Sequence, residues 1–151
     1  MKNDVLRKLR FILNLSDEQM IEIFGLGGLE VNRVEVSDWL KKDDAPDFKE
    51  IRDKELASFL NGVTISKRGP QDGKVPVTES RLTNNIILRK LLIAFSLKSD
   101  DVVELLSLAD FKMSKNEVSA FFRKPEHRNY RKCLDQVLRN FLHGLQIKTR
   151  S

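Results

Sequence analysis

"LRKLRFILNL" (Leu6–Leu15) returns 82 residues later as "LRKLLIAFSL" (Leu88–Leu97). At that offset, residues 3–65 align with 85–147 without a gap, and 18 of the 63 positions are identical. Ordinary composition gives only roughly four identities by chance. The substitutions keep their character: Trp39 meets Phe121, Phe48 meets Tyr130, and Ile51 meets Cys133. The chain is therefore a tandem duplication. Between the copies lies "SKRGPQDGKVPVTESRL" (Ser66–Leu82), with two prolines, two glycines and no helical apolar period, the composition of an exposed linker. The expected organisation is a first repeat over 1–65, a linker over 66–82, a second repeat over 83–148 and a short tail over 149–151.

Each copy reads as four helices, because start signals recur in register. Helix one is expected to open on an asparagine cap, Asn3 or Asn84/Asn85. Helix two opens at Ser16 with Gln19 three residues on, a capping box. Its counterpart opens at Ser99, where Asp100 and Asp101 suit the positive helix start. Helix three opens at Asn32 with Glu35 and at Ser114 with Glu117. Helix four is expected to open at Asp47 or Asn129, and Gly62 or Gly144 marks its end. In helix three, Val36, Trp39 and Leu40 fall at i, i+3 and i+4, as do Val118, Phe121 and Phe122. Tyr130, Cys133, Val137, Phe141 and Leu145 form a similar stripe on helix four. No strand pattern of useful length appears.

The fold class is all-α: two tandem homologous four-helix repeats, helices two and three of each having a helix-turn-helix-like outline. Helix one of the second copy, Ile86 to Phe95, is apolar almost all round, so it is expected to be buried on several sides. A unit of roughly 60 residues has a marginal core on its own. The two copies are therefore expected to pack together, with helix one near the seam.

Composition narrows the setting. Of 151 residues, 40% are apolar and 32% charged, which suits a globular chain. No apolar run is long enough for a membrane span. The start, "MKNDVLRKLR", reads as a charged helix rather than a signal peptide. A single cysteine, Cys133, excludes an internal disulfide and fits a reducing compartment. The expected location is the cytoplasm.

The phrase "DVLRKLRFILNLSDEQMIEIFGLGG", its return in "NIILRKLLIAFSLKSDDVVELLSLAD", and the pair "EVSDWLKK" and "EVSAFFRK" resemble the YehS-like bacterial family, which carries a duplicated domain of unknown function. The resemblance spans nearly the whole chain. It implies a bacterial, cytoplasmic protein of two related helical repeats, and it supplies no catalytic or binding residues.

The residues themselves offer little for catalysis. His127 and His143 lack metal-ligand spacing to each other or to Cys133. His143 lies beside Gly144, which suggests a capping or surface role. Cys133 falls on an apolar stripe and reads as a buried structural thiol. "GLGG" (Gly25–Gly28) follows a helix rather than a strand and lacks the Lys-Ser/Thr ending of a phosphate loop, and the second copy has "SLAD" there, so it reads as a turn. No catalytic constellation, metal site or cofactor site is expected. The paired basics Arg7-Lys8 and Arg89-Lys90 recur alongside Glu22/Glu104, Glu35/Glu117 and Asp53/Asp135. Internal ion pairing is the favoured reading for the arginines, with Glu35 or Asp53, and Glu117 or Asp135, as their acids.

Charge separates the copies. Residues 1–65 carry 10 basic and 13 acidic side chains, a net charge of −3. Residues 83–151 carry 13 and 7, a net charge of +6. The densest basic stretch is "FFRKPEHRNYRK" (Phe121–Lys132). A polyanion, if one binds, is expected to meet Lys115, Arg123, Lys124, Arg128, Arg131 and Lys132. Two functional readings follow. The first is a protein-interaction or adaptor module, with a protein partner or self-association. The second is non-sequence-specific nucleic-acid binding through the basic patch. No membrane partner is expected.

Overall fold

A computed structural model describes residues 1–70 and 76–150. Among the described residues there are eight α-helices, one short 3₁₀ turn and no strand. The helices are α1 (Lys2–Leu13), α2 (Asp17–Leu26), α3 (Arg33–Leu40), α4 (Asp53–Arg68), α5 (Asn84–Ala94), α6 (Ser99–Leu108), α7 (Lys115–Ser119) and α8 (Asp135–Arg150). The 3₁₀ turn, Ala120–Phe122, continues α7. The chain divides into two compact units, 1–82 and 83–151, each with its own four helices.

Caps define most starts. Ser16 and Gln19 exchange hydrogen bonds at the head of α2, as do Asn32 and Glu35 at α3 and Ser114 and Glu117 at α7. Each box satisfies two backbone N–H groups that a helix start would leave open. The expected cap at Ser99 is displaced by one residue. Lys98 stands at the cap, aligned with Ser16, and its N–H is met by the Asp101 carboxylate at 2.7 Å. A lysine side chain accepts no hydrogen bond, so the acid three residues on carries this start alone.

The asparagine caps expected for helix one are corrected. Asn3 lies inside α1 and Asn85 inside α5, and Thr83 caps the latter by accepting from the Ile86 N–H. Both asparagines are buried and work as clamps. The Asn3 amide donates to the carbonyls of Trp39 and Lys49, each at 2.9 Å, and its oxygen accepts from the Ile51 N–H at 3.1 Å. Asn85 repeats the pattern with Phe121 and Arg131 at 3.0 and 2.8 Å and Cys133 at 2.9 Å. One buried side chain thus holds the end of helix three and the segment before helix four.

This clamp explains a second correction. Helix four begins at Asp53 and Asp135, not at Asp47 or Asn129. Residues bonded to the asparagine are held in a loop and cannot join the helical ladder. Tyr130 and Cys133 consequently belong to that loop rather than to the α8 stripe.

Gly62 and Gly144 end nothing. Both lie within α4 and α8, which run on to Arg68 and Arg150. A Cβ on Gly62 would lie 1.9 Å from the Ile23 carbonyl oxygen, and one on Gly144 would lie 1.8 Å from that of Leu105. Glycine lets α4 pack tightly on α2, and α8 on α6. Around these contacts sit the core residues Leu9, Trp39, Leu56, Phe59 and Leu60, all buried, and their counterparts Leu91, Phe121, Leu138, Phe141 and Leu142. In the first unit Phe24 adds ring contacts to Trp39 and Phe59, with centroids 5.2 and 4.9 Å apart. In the second unit Leu106 stands at that position, so the rings are lost there. On α5, Ile87, Leu88, Leu91, Leu92 and Ala94 are buried, while Ile93 is 46% exposed. Of the "GLGG" stretch, Gly25 and Leu26 end α2 and only Gly27–Gly28 form the expected turn: Gly28 has φ +91, and Asp110 holds the same place with φ 58.

Asn85→Ala removes a partner from one N–H and two carbonyls, and should cost about 3 kcal/mol or more, each orphaned buried group costing about 1–3. Gly62→Ala drives a methyl group into backbone and should cost about 1–3 kcal/mol or more. Urea unfolding followed by circular dichroism checks both. Wild-type stability in either variant would refute the corresponding role.

Candidate functional site

The loop between helices three and four is built alike in both units. In the first, Ala45 N–H donates to Lys42 O, Phe48 N–H to Ala45 O, and Lys49 N–H to Asp38 O, at 3.0, 3.1 and 3.2 Å. In the second, His127 donates to Lys124, Tyr130 to His127, and Arg131 to Ala120, at 2.9, 2.9 and 3.1 Å. These are the same bonds at the 82-residue offset. The side chains differ sharply. Residues 41–52 carry four basic and four acidic groups, whereas 123–134 carry five basic groups and one acid, Glu126.

The six expected cations are not equally available. Lys115, at the head of α7, lies 3.3 Å from the Asp100 carboxylate. Arg131 lies 3.2 Å from Glu117. The Ser114 N–H, and then Arg131, hold the Glu117 carboxyl below its ordinary range. Arg123 donates to the Asn129 carbonyl at 2.9 Å and so braces its own loop. Lys124, Arg128 and Lys132 are exposed, and among the described residues their side chains have no hydrogen bond or ion pair. The sequence pattern finds the basic stretch but cannot separate these three from the three already engaged. His127, exposed in the same loop, accepts the Asn129 N–H on Nδ1 at 3.0 Å. His143 is exposed in the middle of α8, so it caps nothing.

The repeated arginines diverge. Arg7 bonds Asp4 and the Lys41 carbonyl and lies 3.6 Å from Asp43. It pairs with acids of its own repeat, though not with Glu35 or Asp53. Glu35 is occupied at its cap, and Asp53 binds Lys2 at 3.1 Å and the Leu82 N–H at 2.8 Å. Arg89 is exposed and, among the described residues, has no acid within ion-pair distance. Asp4 is replaced by Ile86 at the equivalent position, which removes its partner. Glu117 is taken by Arg131, and Asp135 accepts from Asn84 at 2.7 Å.

The helix-turn-helix outline is loose in detail. Six residues separate α2 from α3, and six separate α6 from α7, where compact DNA readers use three or four. Helix α7 has only five residues. In the second unit an open cleft of ≈ 420 Å³ is lined by Val103, Ser107, Lys112, Met113, Ser114 and Glu117. Its carboxylate is committed to Ser114 and Arg131. No three His, Cys, Asp or Glu side chains gather as a metal-binding group among the described residues. No described helix is long and apolar enough to cross a membrane.

Two comparisons fit this duplicated architecture. A family model described as "Protein of unknown function (DUF1456)" matches twice, over residues 2–69 and 84–151. The chain belongs to this family. It is also 43% identical over 150 residues to "Uncharacterized protein YehS" of Escherichia coli (strain K12), covering 98% of this chain and 96% of that protein. No solved structure matches the chain. The family is one of unknown function, so the residues of the second repeat carry the functional argument.

Cys133 is buried in the clamped segment, and burial, then the charge of Asp135, pushes its thiol up to about 12. The thiolate is the reactive form, so a disulfide-forming thiol reagent at pH 8 should react at least about a thousandfold more slowly with the folded protein than with the denatured chain. Comparable rates would overturn the structural assignment of this cysteine.

Proposed function

We propose that this protein is a non-catalytic interaction module, an adaptor, and that its second repeat takes an acidic segment of a partner protein on the loop 123–134. The observation that carries this reading is the set of three exposed, unengaged cations, Lys124, Arg128 and Lys132, on a loop whose backbone is held by Asn85. A preorganised loop loses little conformational freedom on binding, so its charges act at full effect. The first repeat presents the same loop with balanced charge, so the two loops select different partners.

The number of free cations favours an acidic protein segment over nucleic acid. Proteins that live on phosphate contacts make about 6–10 of them. Three cations neutralise about three phosphates, which gives a shallow salt dependence and weak duplex binding. Three close charges are ample for a short acidic segment, where complementarity sets register and encounter rate. A second reading, non-sequence-specific nucleic-acid binding through the same loop, is favoured by Tyr130, an aromatic ring among the cations.

The test is capture from bacterial lysate by the full chain, with and without nuclease, alongside the variant Lys124→Glu/Arg128→Glu/Lys132→Glu. Arg123 is left intact because it braces the loop. A partner held by the wild type despite nuclease, and lost by the variant with helicity unchanged, is the expected result. Loss of the partner on nuclease treatment would put nucleic acid in front. Undiminished capture by the variant would remove this loop from consideration.

A further inference from the structure

Most residues identical between the repeats have an internal role. Asn3/Asn85 clamp, Glu35/Glu117 cap, Gly62/Gly144 admit a neighbouring carbonyl, and the Leu and Phe pairs fill the cores. Glu22/Glu104, Leu26/Leu108 and Ile65/Ile147 are also identical and have no such role. Leu26 is 44% exposed and Leu108 46%, close to equal and high for leucine. Glu22 and Glu104 are exposed, and among the described residues neither side chain has a hydrogen bond or an ion pair.

The three positions come together in space. Glu104 and Leu108 stand one turn apart on α6, and Ile147 follows Gly144 by three residues on α8. In the second unit they line one cleft of ≈ 350 Å³, with Leu105 as floor and Lys148 at the rim. The close approach at Gly144 brings the two helices together beside it. The first unit has the same approach at Gly62, with Glu22 and Leu26 on α2 and Ile65 on α4. Lys148 is replaced there by Ser66, so the repeated chemistry is an acid, a leucine and an isoleucine.

We propose that this element is a docking notch, one in each repeat, for a partner-protein helix that carries Lys or Arg one turn from Leu, Ile or Val. The aliphatic side chain enters between Leu108 and Ile147, where apolar surface is open to water. The cation meets Glu104, whose carboxylate has no ion pair among the described residues. An acidic or purely apolar helix would leave that carboxylate repelled or desolvated without compensation. The notch differs in sign and place from the basic loop, and it stands whether or not that loop binds an acidic segment.

The probe is a pair of alanine-based helical peptides, one with a Lys-Ala-Ala-Ala-Leu unit and one with Glu in place of Lys. Amide NMR of the labelled full chain should show the lysine peptide shifting Glu104, Leu108 and Ile147, with Glu22, Leu26 and Ile65 responding likewise. In Glu22→Lys/Glu104→Lys, the lysine peptide should weaken about tenfold and the glutamate peptide should gain the same sites. These residues are exposed, so the variant keeps its fold, which its circular dichroism checks. Equal binding of both peptides, no exchange of preference in the variant, no binding at all, or shifts confined to 123–134 would overturn the proposal. Concentration-dependent shifts of the same residues without peptide would assign the notch to a second copy of this chain instead, and would equally overturn it.

Discussion

Two buried asparagines hold this protein's architecture together. Asn3 and Asn85 each use both amide hydrogens and the amide oxygen on backbone groups roughly 36–48 residues away in sequence. Asparagine suits this role because its side chain offers donors and an acceptor on one planar group. The backbone groups it meets lie where helix three has ended and helix four has not begun, so no helical ladder can satisfy them. Buried polar groups left open there would cost about 1–3 kcal/mol each. The asparagine therefore fixes the path of the loop as well as the position of helix one, and every other feature of that loop follows.

Helix pairing is the second constraint. Gly62 and Gly144 let a neighbouring carbonyl lie where a methyl group would be, which sets the separation of helices two and four in each unit. Close pairing leaves no room for a side chain on that line and pushes larger groups to its flanks. Leu26 and Leu108, three residues beyond Ile23 and Leu105 on the same helices, are partly in water.

Much of this was legible in the sequence. The duplication, the all-α class, the core residues and three of the capping boxes follow from identity counts, apolar spacing and paired cap residues. What failed did so for one physical reason: local signals were read without the distant groups that override them. Asn3 looks like a helix cap because asparagine is a good one, yet its partners are some 36 residues away and more. Asp47 with Glu50 has the spacing of a capping box, but the clamp holds its surroundings as a loop. Gly62 looks like a helix stop, while its conformation is helical and its small size is what matters. Among the cations, Lys115, Arg123 and Arg131 carry the same sequence signal as Lys124, Arg128 and Lys132. Only three-dimensional neighbours tell an engaged cation from a free one.

The duplication supplies its own control on function. Two copies with one scaffold share clamp, caps, glycine contact and core, because loss of any of these costs the fold several kcal/mol out of a small total. A surface residue carries no such penalty and is free to drift after duplication. The loop between helices three and four has balanced charge in one copy and a strong excess of cations in the other, while its backbone bonds are the same. That pattern fits two recognition loops diverging toward different partners on a fixed frame. The acid, leucine and isoleucine beside the glycine contact have not drifted, although no core or cap holds them. Fold stability alone requires neither observation, whereas the proposed docking notch would be kept in each repeat and the proposed recognition loop would differ between them.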